Sequence, residues 1–318
     1  MTDLTGNESP ENPQISVIVV TWNCAEMMAD CLHSLYQNAG DITYEVIVID
    51  NASADNTVSV LKQRFPEVKV TANKENLGFA KANNQGMKQA LAPLICLLNP
   101  DTLVQQPDTL LKIQQQMDVA PEIGAAGCRL TFPDGRHQVG DAGGMPTLFA
   151  VTVHAFFINK LFPTKVHGLF LQDGSIASPY GRVAWVCGAC TILRQEIFQQ
   201  TGGFDESYFL YGEDVEWGSR MTAAGIYVAY LPDISIVHLQ GGTQKGKDLP
   251  STRWIDGVAK LFFEHNRGRH WYLFRAILST GFLLRFIIYS LTLNASRGRE
   301  MLNYSQHIWK LRRLDKAS

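Results

Sequence analysis

The spacing of apolar residues changes repeatedly over the first hundred positions. Ile15 to Val20 is an unbroken run rich in β-branched residues, which suits a strand buried on both faces of a parallel sheet. Met28, Cys31, Leu32, Leu35 and Tyr36 then recur at helical spacing. Val46 to Ile49 repeats the buried-strand pattern. Ala54 to Phe65 reads as a helix with Val58, Leu61 and Phe65 on one face, closed by Pro66. Val68 to Val70 predicts a short strand, Phe79 to Leu91 a helix and Leu94 to Leu98 a fourth strand. This alternation predicts an α/β fold with a doubly wound, mostly parallel central sheet flanked by helices. Crossovers in such a sheet are right-handed, and ligands bind outside the carboxyl ends of its strands.

The pattern is more mixed further on. Gly124 to Leu130 reads as a strand, while residues 132–182, rich in Gly, Pro, Phe and His, predict a long loop or lid. Val183 to Leu193 is strand-like but interrupted by Gly188. Gly212 to Ala224 reads as a helix, with strands at Tyr227 to Leu231 and Ser235 to Leu239. Near the end, Leu273 to Leu293 is apolar but broken by Arg275, Gly281 and Arg285. A spanning helix needs about 20 apolar residues, and an arginine at its centre costs about 2.5–3.5 kcal/mol. Met301, Tyr304, Ile308 and Leu311 then form a helical stripe beside Lys310, Arg312 and Arg313. The favoured reading is a helical tail lying in a membrane interface rather than crossing it. The alternative is a tail that packs on the body of the chain or on a partner subunit. Residues 1–14 are polar and predict a disordered lead-in.

Composition narrows the class. In 318 residues, 46% apolar and 18% charged, there is material for one enlarged α/β domain plus an appendage, and wholesale disorder is excluded. The net charge of −2 argues against a nucleic-acid partner. That average hides an asymmetry. From Arg253 onward there are 12 Lys and Arg against 4 Asp and Glu, which leaves 16 basic and 26 acidic residues before it. An acidic body thus carries a basic, apolar tail suited to a surface. The six cysteines are scattered and no secretory signal precedes them. This predicts free thiols in a reducing, cytoplasmic setting, and the basic apolar tail then predicts a place at the inner face of the cytoplasmic membrane. Cys187 and Cys190 have CxxC spacing but lie in a strand-like run, with no second pair to complete a zinc site.

Polar signatures stand at the strand ends: Thr21-Trp22-Asn23, then Asp50-Asn51-Ala52-Ser53, then Asn99-Pro100-Asp101-Thr102. They should meet at one rim of the sheet. The marks of NAD enzymes and P-loop NTPases are missing: there is no GxGxxG after the first strand and no Walker A motif. Asp50 could accept from a nucleotide ring N–H or a ribose hydroxyl, or simply cap the next helix. Asp101 could hold a cation between itself and a diphosphate, or serve an NPDT turn. Glu213-Asp214 opens a helix, where a carboxylate complements the dipole or acts as a general base. His238 is a structural residue, or a metal ligand should Asp101 lie close.

Taken in order, SVIVVTWN, VIVIDNASADN, ENLGFAKANNQG, LLNPDT, WVCGACTILR, GGFDESYFLYGEDVEW and VHLQGGT resemble the family 2 glycosyltransferases, which have the GT-A fold. The resemblance is greatest to a bacterial, rhamnosyltransferase-like subgroup that builds cell-surface polysaccharide, and it covers about residues 15–243. It implies a hexosyltransferase that inverts the sugar by direct displacement, moving it from a nucleoside-diphosphate sugar to a glycan or lipid-linked acceptor. It also implies a divalent cation, Mg2+ or Mn2+. By position, Asp214 matches the catalytic base and Glu213 supports it or contacts the acceptor. Asp101 matches the last Asp of the DxD metal motif, and His238 a further metal ligand. Thr21, Asn23 and Asp50 match base- and ribose-binding positions, with Asn51, Ser53 and Asn99 beside them. Asn76, Gly78 and Asn83 line the donor pocket. Trp185, Gly188 and Ala189 belong to the loop near the acceptor and donor sugar. One departure stands out: the DxD motif is here Asn99-Pro100-Asp101, with a single carboxylate.

This reading divides the chain into residues 1–14, a domain at 15–250 and a membrane-associating tail at 251–318. The domain splits into a donor half at 15–104 and an acceptor half at 105–250. Two other readings remain open. One is a sugar nucleotidyltransferase, although its Gly-rich basic signature after the first strand is missing. The other is a non-catalytic nucleotide-sugar-binding or membrane assembly module on the same fold.

Overall fold

A computed structural model of the chain describes residues 12–162, 165–166, 168–174, 180–239, 252–266 and 268–312. Most of the expected lead-in and the Gly241-Gly242-Thr243 end of the last motif lie outside these residues. The first half follows the predicted alternation: β1 (Ile15–Thr21), α1 (Ala25–Asn38), β2 (Tyr44–Asp50), α2 (Thr57–Arg64), β3 (Lys69–Ala72), α3 (Phe79–Met87) and β4 (Leu94–Leu98). Strands β3, β2, β1 and β4 lie side by side in that order, all parallel. The unbroken apolar run of β1 has a plain cause. Ile15, Val17 and Val19 pack with Met28, Leu32 and Leu35 of α1 on one face, while Ile18 packs with Ala80, Ala82 and Met87 of α3 on the other.

The second half holds β5 (Thr102–Leu103), α4 (Thr109–Val119), β6 (Ile123–Thr131), β7 (Ala142–Gly143), α5 (Leu148–Ala155) and α6 (Ile158–Leu161). It continues with β8 (Gly181–Arg182), β9 (Trp185–Val186), β10 (Cys190–Arg194), α7 (Gln195–Thr201), α8 (Glu213–Ala223) and β11 (Tyr227–His238). Here the sheet becomes mixed. β10 enters antiparallel between β4 and β6, β11 runs parallel to β6, and β5 and β8 pair antiparallel with β11. The nine-stranded order is β3-β2-β1-β4-β10-β6-β11-β5, with β8 on β11.

Several predicted segments take a different form. Val183 to Leu193 is two strands, β9 and β10, because the chain turns at Cys187–Ala189 and only β10 joins the main sheet. The two strands expected at Tyr227–Leu231 and Ser235–Leu239 are one strand, whose register against β6 shifts between Leu231 and Ser235 to absorb Pro232 and Asp233. The 132–182 stretch is no bare loop. It contains β7, α5, α6 and β8. Helix α5 escapes a periodicity search because LFAVTVHA is apolar almost all round.

The tail forms α9 (Arg253–His265), α10 (Trp271–Leu291) and α11 (Ala295–Lys310). These helices share one core with Ala150 and Val151 of α5, built on Ile255, Phe262, Trp271, Phe274, Leu278, Phe282 and Ile308. Arg285 interrupts the apolar run because it faces this core. Its guanidinium donates to the His154 carbonyl and lies 4.2 Å from the Phe157 ring centroid. Gly281 is there because a methyl group would meet Ala155 at 2.6 Å. By length and composition α10 could cross a membrane, but one of its faces is covered by the protein.

Candidate active site

The strand ends do meet. β1 and β2 finish in register, Thr21 opposite Asp50, and the loops beyond them are stitched together. Asn23, at φ 50°, receives the Ala54 N–H on its side-chain oxygen at 2.7 Å, and the Ser53 hydroxyl accepts from the Asn23 N–H at 2.8 Å. Asp50 is 2% exposed. Its Oδ2 accepts from the Ser53 N–H at 3.0 Å, while Oδ1 is buried with no partner among the described residues. A buried carboxylate oxygen left bare is costly unless a ligand donates to it. Asp50 does not cap the next helix: α2 starts after Asn56, and it is Asp55 that closes the turn before it, accepting from the Thr57 N–H at 3.0 Å and its hydroxyl at 2.5 Å.

Thr21 is buried against Cys24, 3.0 Å from oxygen to sulfur. Asn51 acts as a staple for the next loop: its amide nitrogen donates to Gly78 O at 3.0 Å, and its oxygen accepts from Asn73 and the Leu77 N–H. Asn76 closes a local turn on the Gly78 N–H at 3.0 Å. Gly78 has φ +82°, and a methyl there would stand 2.7 Å from Phe209 O. The Phe79 N–H donates to that same carbonyl at 2.8 Å. Asn83 bonds within its own helix, to Phe79 O at 3.0 Å. The residue that reaches across is Asn84, which bonds to Phe204 O at 2.8 Å and receives the Phe204 N–H at 2.9 Å.

The other half of the rim is built by returns of the chain. The Asn99 N–H donates to Ala189 O at 3.0 Å, so the Cys187–Ala189 turn lies against the end of β4. From that turn the Gly188 N–H donates to Asp214 Oδ2 at 3.3 Å. A side chain at Gly188 would meet the Phe79 ring at 3.0 Å. Trp185 is 3% exposed. It lies beneath α8, where a methyl on Gly218 would meet its Cβ at 2.5 Å, and its indole N–H donates to Gly144 O at 3.1 Å.

Glu213 and Asp214 open α8 behind Tyr211 and Gly212, both at positive φ. Glu213 is 4% exposed and its Oε2 is buried without a partner among the described residues. Burial, and then the neighbouring Asp214 charge, push its carboxyl up to about 8. Burial also raises Asp214, against the lowering effect of the Gly188 and Val215 N–H donors. The N–H donors favour the charged form of Asp214, and burial favours the protonated form of Glu213. The pair therefore holds one proton more tightly than ordinary carboxylates do.

At the far end of the rim, Asp101 Oδ1 lies 3.2 Å from His238 Nε2. His238 ends β11, opposite Thr102 in the register with β5, and the Leu239 N–H donates to Asp101 O at 2.8 Å. His238 Nδ1 lies 2.6 Å from Gln138 Oε1. Among the described residues no group of three or more His, Cys, Asp and Glu is arranged to hold a metal. The donor set here is one carboxylate and one imidazole. That suits a cation completing its shell with diphosphate oxygens and water. Gln138 was not foreseen, because it falls in the stretch without periodicity and no motif marks it.

The sequence profile of glycosyl transferase family 2 matches residues 16–202. The O-antigen biosynthesis protein RfbC of Myxococcus xanthus is 29% identical over 78% of this chain, but that match spans only 19% of RfbC. N-acetylglucosaminyl-diphospho-decaprenol L-rhamnosyltransferase of Mycobacterium tuberculosis is 28% identical over 70% of this chain and 75% of its own. The rhamnosyltransferase WbbL of Escherichia coli is 24% identical over 76% of this chain and 89% of its own. Among solved structures, the mannosyltransferase PcManGT of Pyrobaculum calidifontis superposes with a TM-score of 0.59 at 17% identity. It covers 96% of this chain and 87% of its own. The chain belongs to glycosyl transferase family 2. It is a glycosyltransferase with a GT-A-like fold and rhamnosyltransferase relatives.

Proposed function

We propose that this enzyme transfers a sugar, with inversion, from a nucleoside-diphosphate sugar to a lipid-linked or surface-glycan acceptor, using Asp214 as the base. The observation that carries the reading is the pair of buried Glu213 and half-buried Asp214, fixed by the Gly188 N–H at the rim where Asp50 leaves one oxygen bare. In the single step, the acceptor oxygen bonds to the anomeric carbon, the bond from that carbon to the diphosphate oxygen breaks, and the acceptor proton passes to Asp214. Glu213, held mostly protonated near neutral pH, avoids placing a second negative charge beside the base and can donate to the acceptor. Asp50, with Asn23 and Ser53 bracing its loop, accepts from the nucleobase or ribose. Asp101 and His238 would hold a divalent cation, Mg2+ or Mn2+, which supplies positive charge for the leaving diphosphate.

The relatives' names support rhamnose as the sugar and a diphospho-lipid as the acceptor, since the mycobacterial relative is named for both. A membrane surface as partner is supported by the uncovered side of α10. Leu273, Leu284, Ile287, Ile288 and Leu291 are exposed along one stripe, with exposed Arg297, Arg299, Lys310 and Arg312 on and after α11. The six free cysteines support a cytoplasmic setting.

The test is a thermal-shift panel of dTDP-, UDP- and GDP-sugars on the full chain, each with and without Mn2+. A ligand at a hundred times its Kd adds about 2.7 kcal/mol of stability. A metal-enhanced shift for one nucleotide class supports the reading and identifies the donor. No shift with any donor in folded protein overturns it.

A further inference from the structure

We infer that Gln138 is a positioning residue, which fixes the tautomer of His238 so that its Nε2 is free to bind a cation; this rests on the cation reading of Asp101 and His238 above. The argument begins with donors and acceptors. Gln138 is 4% exposed. Its amide nitrogen lies 3.4 Å from the His238 carbonyl oxygen, which can only accept, so the NH2 group faces that way. The amide oxygen is thereby turned toward His238 Nδ1, 2.6 Å away. An oxygen facing a ring nitrogen at that distance requires the proton on Nδ1. In the neutral ring Nε2 then carries the lone pair, and it points at Asp101 Oδ1, 3.2 Å away. Two electron pairs facing each other at that distance repel unless a positive charge stands between them. An imidazole that binds a metal through one nitrogen is commonly oriented in this way by a partner on the other.

The segment that carries Gln138 is anchored firmly enough to do this. The Gln138 N–H donates to Leu130 O at 2.9 Å, and His137 bridges to Thr131 at the end of β6. Behind it, the buried Asp141 carboxylate gathers three groups on Oδ2: His137 Nε2 at 2.8 Å, the Tyr230 hydroxyl at 2.5 Å and the Leu130 N–H at 3.3 Å. The same short segment reaches the other half of the rim, because the Cys187 N–H donates to Asp141 O at 2.8 Å, one residue before Gly188. The buried cluster on Asp141 thus holds the segment that presents the amide to His238.

The experiment measures Mn2+ binding to the full chain by electron paramagnetic resonance and calorimetry, with saturating nucleoside diphosphate. It compares wild type, Gln138→Met and Gln138→Glu. Methionine fills the space but offers no acceptor, so Mn2+ affinity should fall about 10–100-fold, with metal-free nucleotide affinity unchanged. Glutamate keeps an oxygen facing Nδ1, so affinity should stay close to wild type. Equal Mn2+ affinity in wild type and Gln138→Met overturns the inference and leaves the cation reading standing. Equal losses in both variants also overturn it, since they mark a purely structural role. Failure of wild type to bind Mn2+ with any diphosphate overturns the cation reading and this inference with it. Nitrogen-15 spectra of histidine-labelled wild type, assigned with His238→Gln, provide a second check that does not depend on Gln138→Met folding. At alkaline pH they should show the proton of His238 on Nδ1, and a proton on Nε2 overturns the inference.

Discussion

Gly212 and Gly257 cross backbone on backbone: a methyl added to Gly212 would stand 2.7 Å from the Cα of Gly257, and one added to Gly257 would stand 2.8 Å from the Cα of Gly212. Gly212 immediately precedes the Glu213–Asp214 pair and Gly257 lies in the first helix of the tail, so α9 braces the candidate catalytic turn. Gly257→Ala is expected to cost about 1–3 kcal/mol of stability through overpacking, read as a lower Tm, and to slow transfer. A variant with wild-type Tm and rate would show that the crossing has no consequence.

Asp214→Asn should lower kcat by about 10²–10⁴-fold, while the nucleotide-sugar Kd measured by calorimetry stays near wild type. The amide preserves the shape of the side chain, but its single oxygen can accept from only one of the Gly188 and Val215 N–H groups, so Tm is measured beside turnover and the loss of kcat should exceed any loss of stability. Wild-type turnover in this variant would remove Asp214 from the role of base.

Glu213 gives a pH signature in stability. Its carboxyl is raised in the folded protein to about 8, above an unfolded value of about 4.3. The stabilisation from holding this proton is complete below the unfolded value. It is lost as pH rises through the folded one. Glu213→Gln carries no titrating proton, so its Tm relative to wild type should rise steadily between mildly acidic and mildly alkaline buffer. Parallel pH profiles for the two proteins would contradict the raised carboxyl.

Asp50→Ala should weaken donor binding roughly ten- to a hundred-fold, the worth of a hydrogen bond to a charged group. The orphaned Oδ1 would be lost, together with the Oδ2 bond that holds the Ser53 N–H. Titration with the free nucleotide alone should show most of the same loss, since the contact is assigned to the base or ribose. An unchanged Kd would return Asp50 to a structural role.

The two faces of α10 should separate by experiment. Arg285→Ala removes a guanidinium stacked on Phe157 and bonded to the His154 carbonyl, and should lower Tm. Ile287→Asp with Leu291→Asp, on the exposed stripe, should leave Tm unchanged but reduce binding to vesicles containing anionic lipid in a sedimentation assay. Unchanged vesicle binding would sink the membrane reading of this face.

The parallel first half is legible in the residues because β1, β2 and β4 are buried on both faces and their helices on one, while β3, at the sheet edge, is only partly buried and leaves a shorter, weaker run. Those burials write plain periods into the residues, as in Ile15–Val20 and Met28–Tyr36. The sequence also placed Asp50, Asp101, Glu213 and Asp214 at element boundaries, where chemistry stands out against an apolar background. The rest arises from packing between distant elements. Cys190–Arg194 slots antiparallel between β4 and β6, and no local pattern records the direction of a strand. The apolar α5 has no period to read until the tail helices cover it. Arg285 looks like a break in a membrane run until His154 and Phe157 come to meet it. The pairing of Asp101 with His238, the amide of Gln138 behind it and the crossing of Gly212 with Gly257 each join residues dozens of positions apart. Nothing in the local sequence specifies such contacts, because they arise only when separate elements pack.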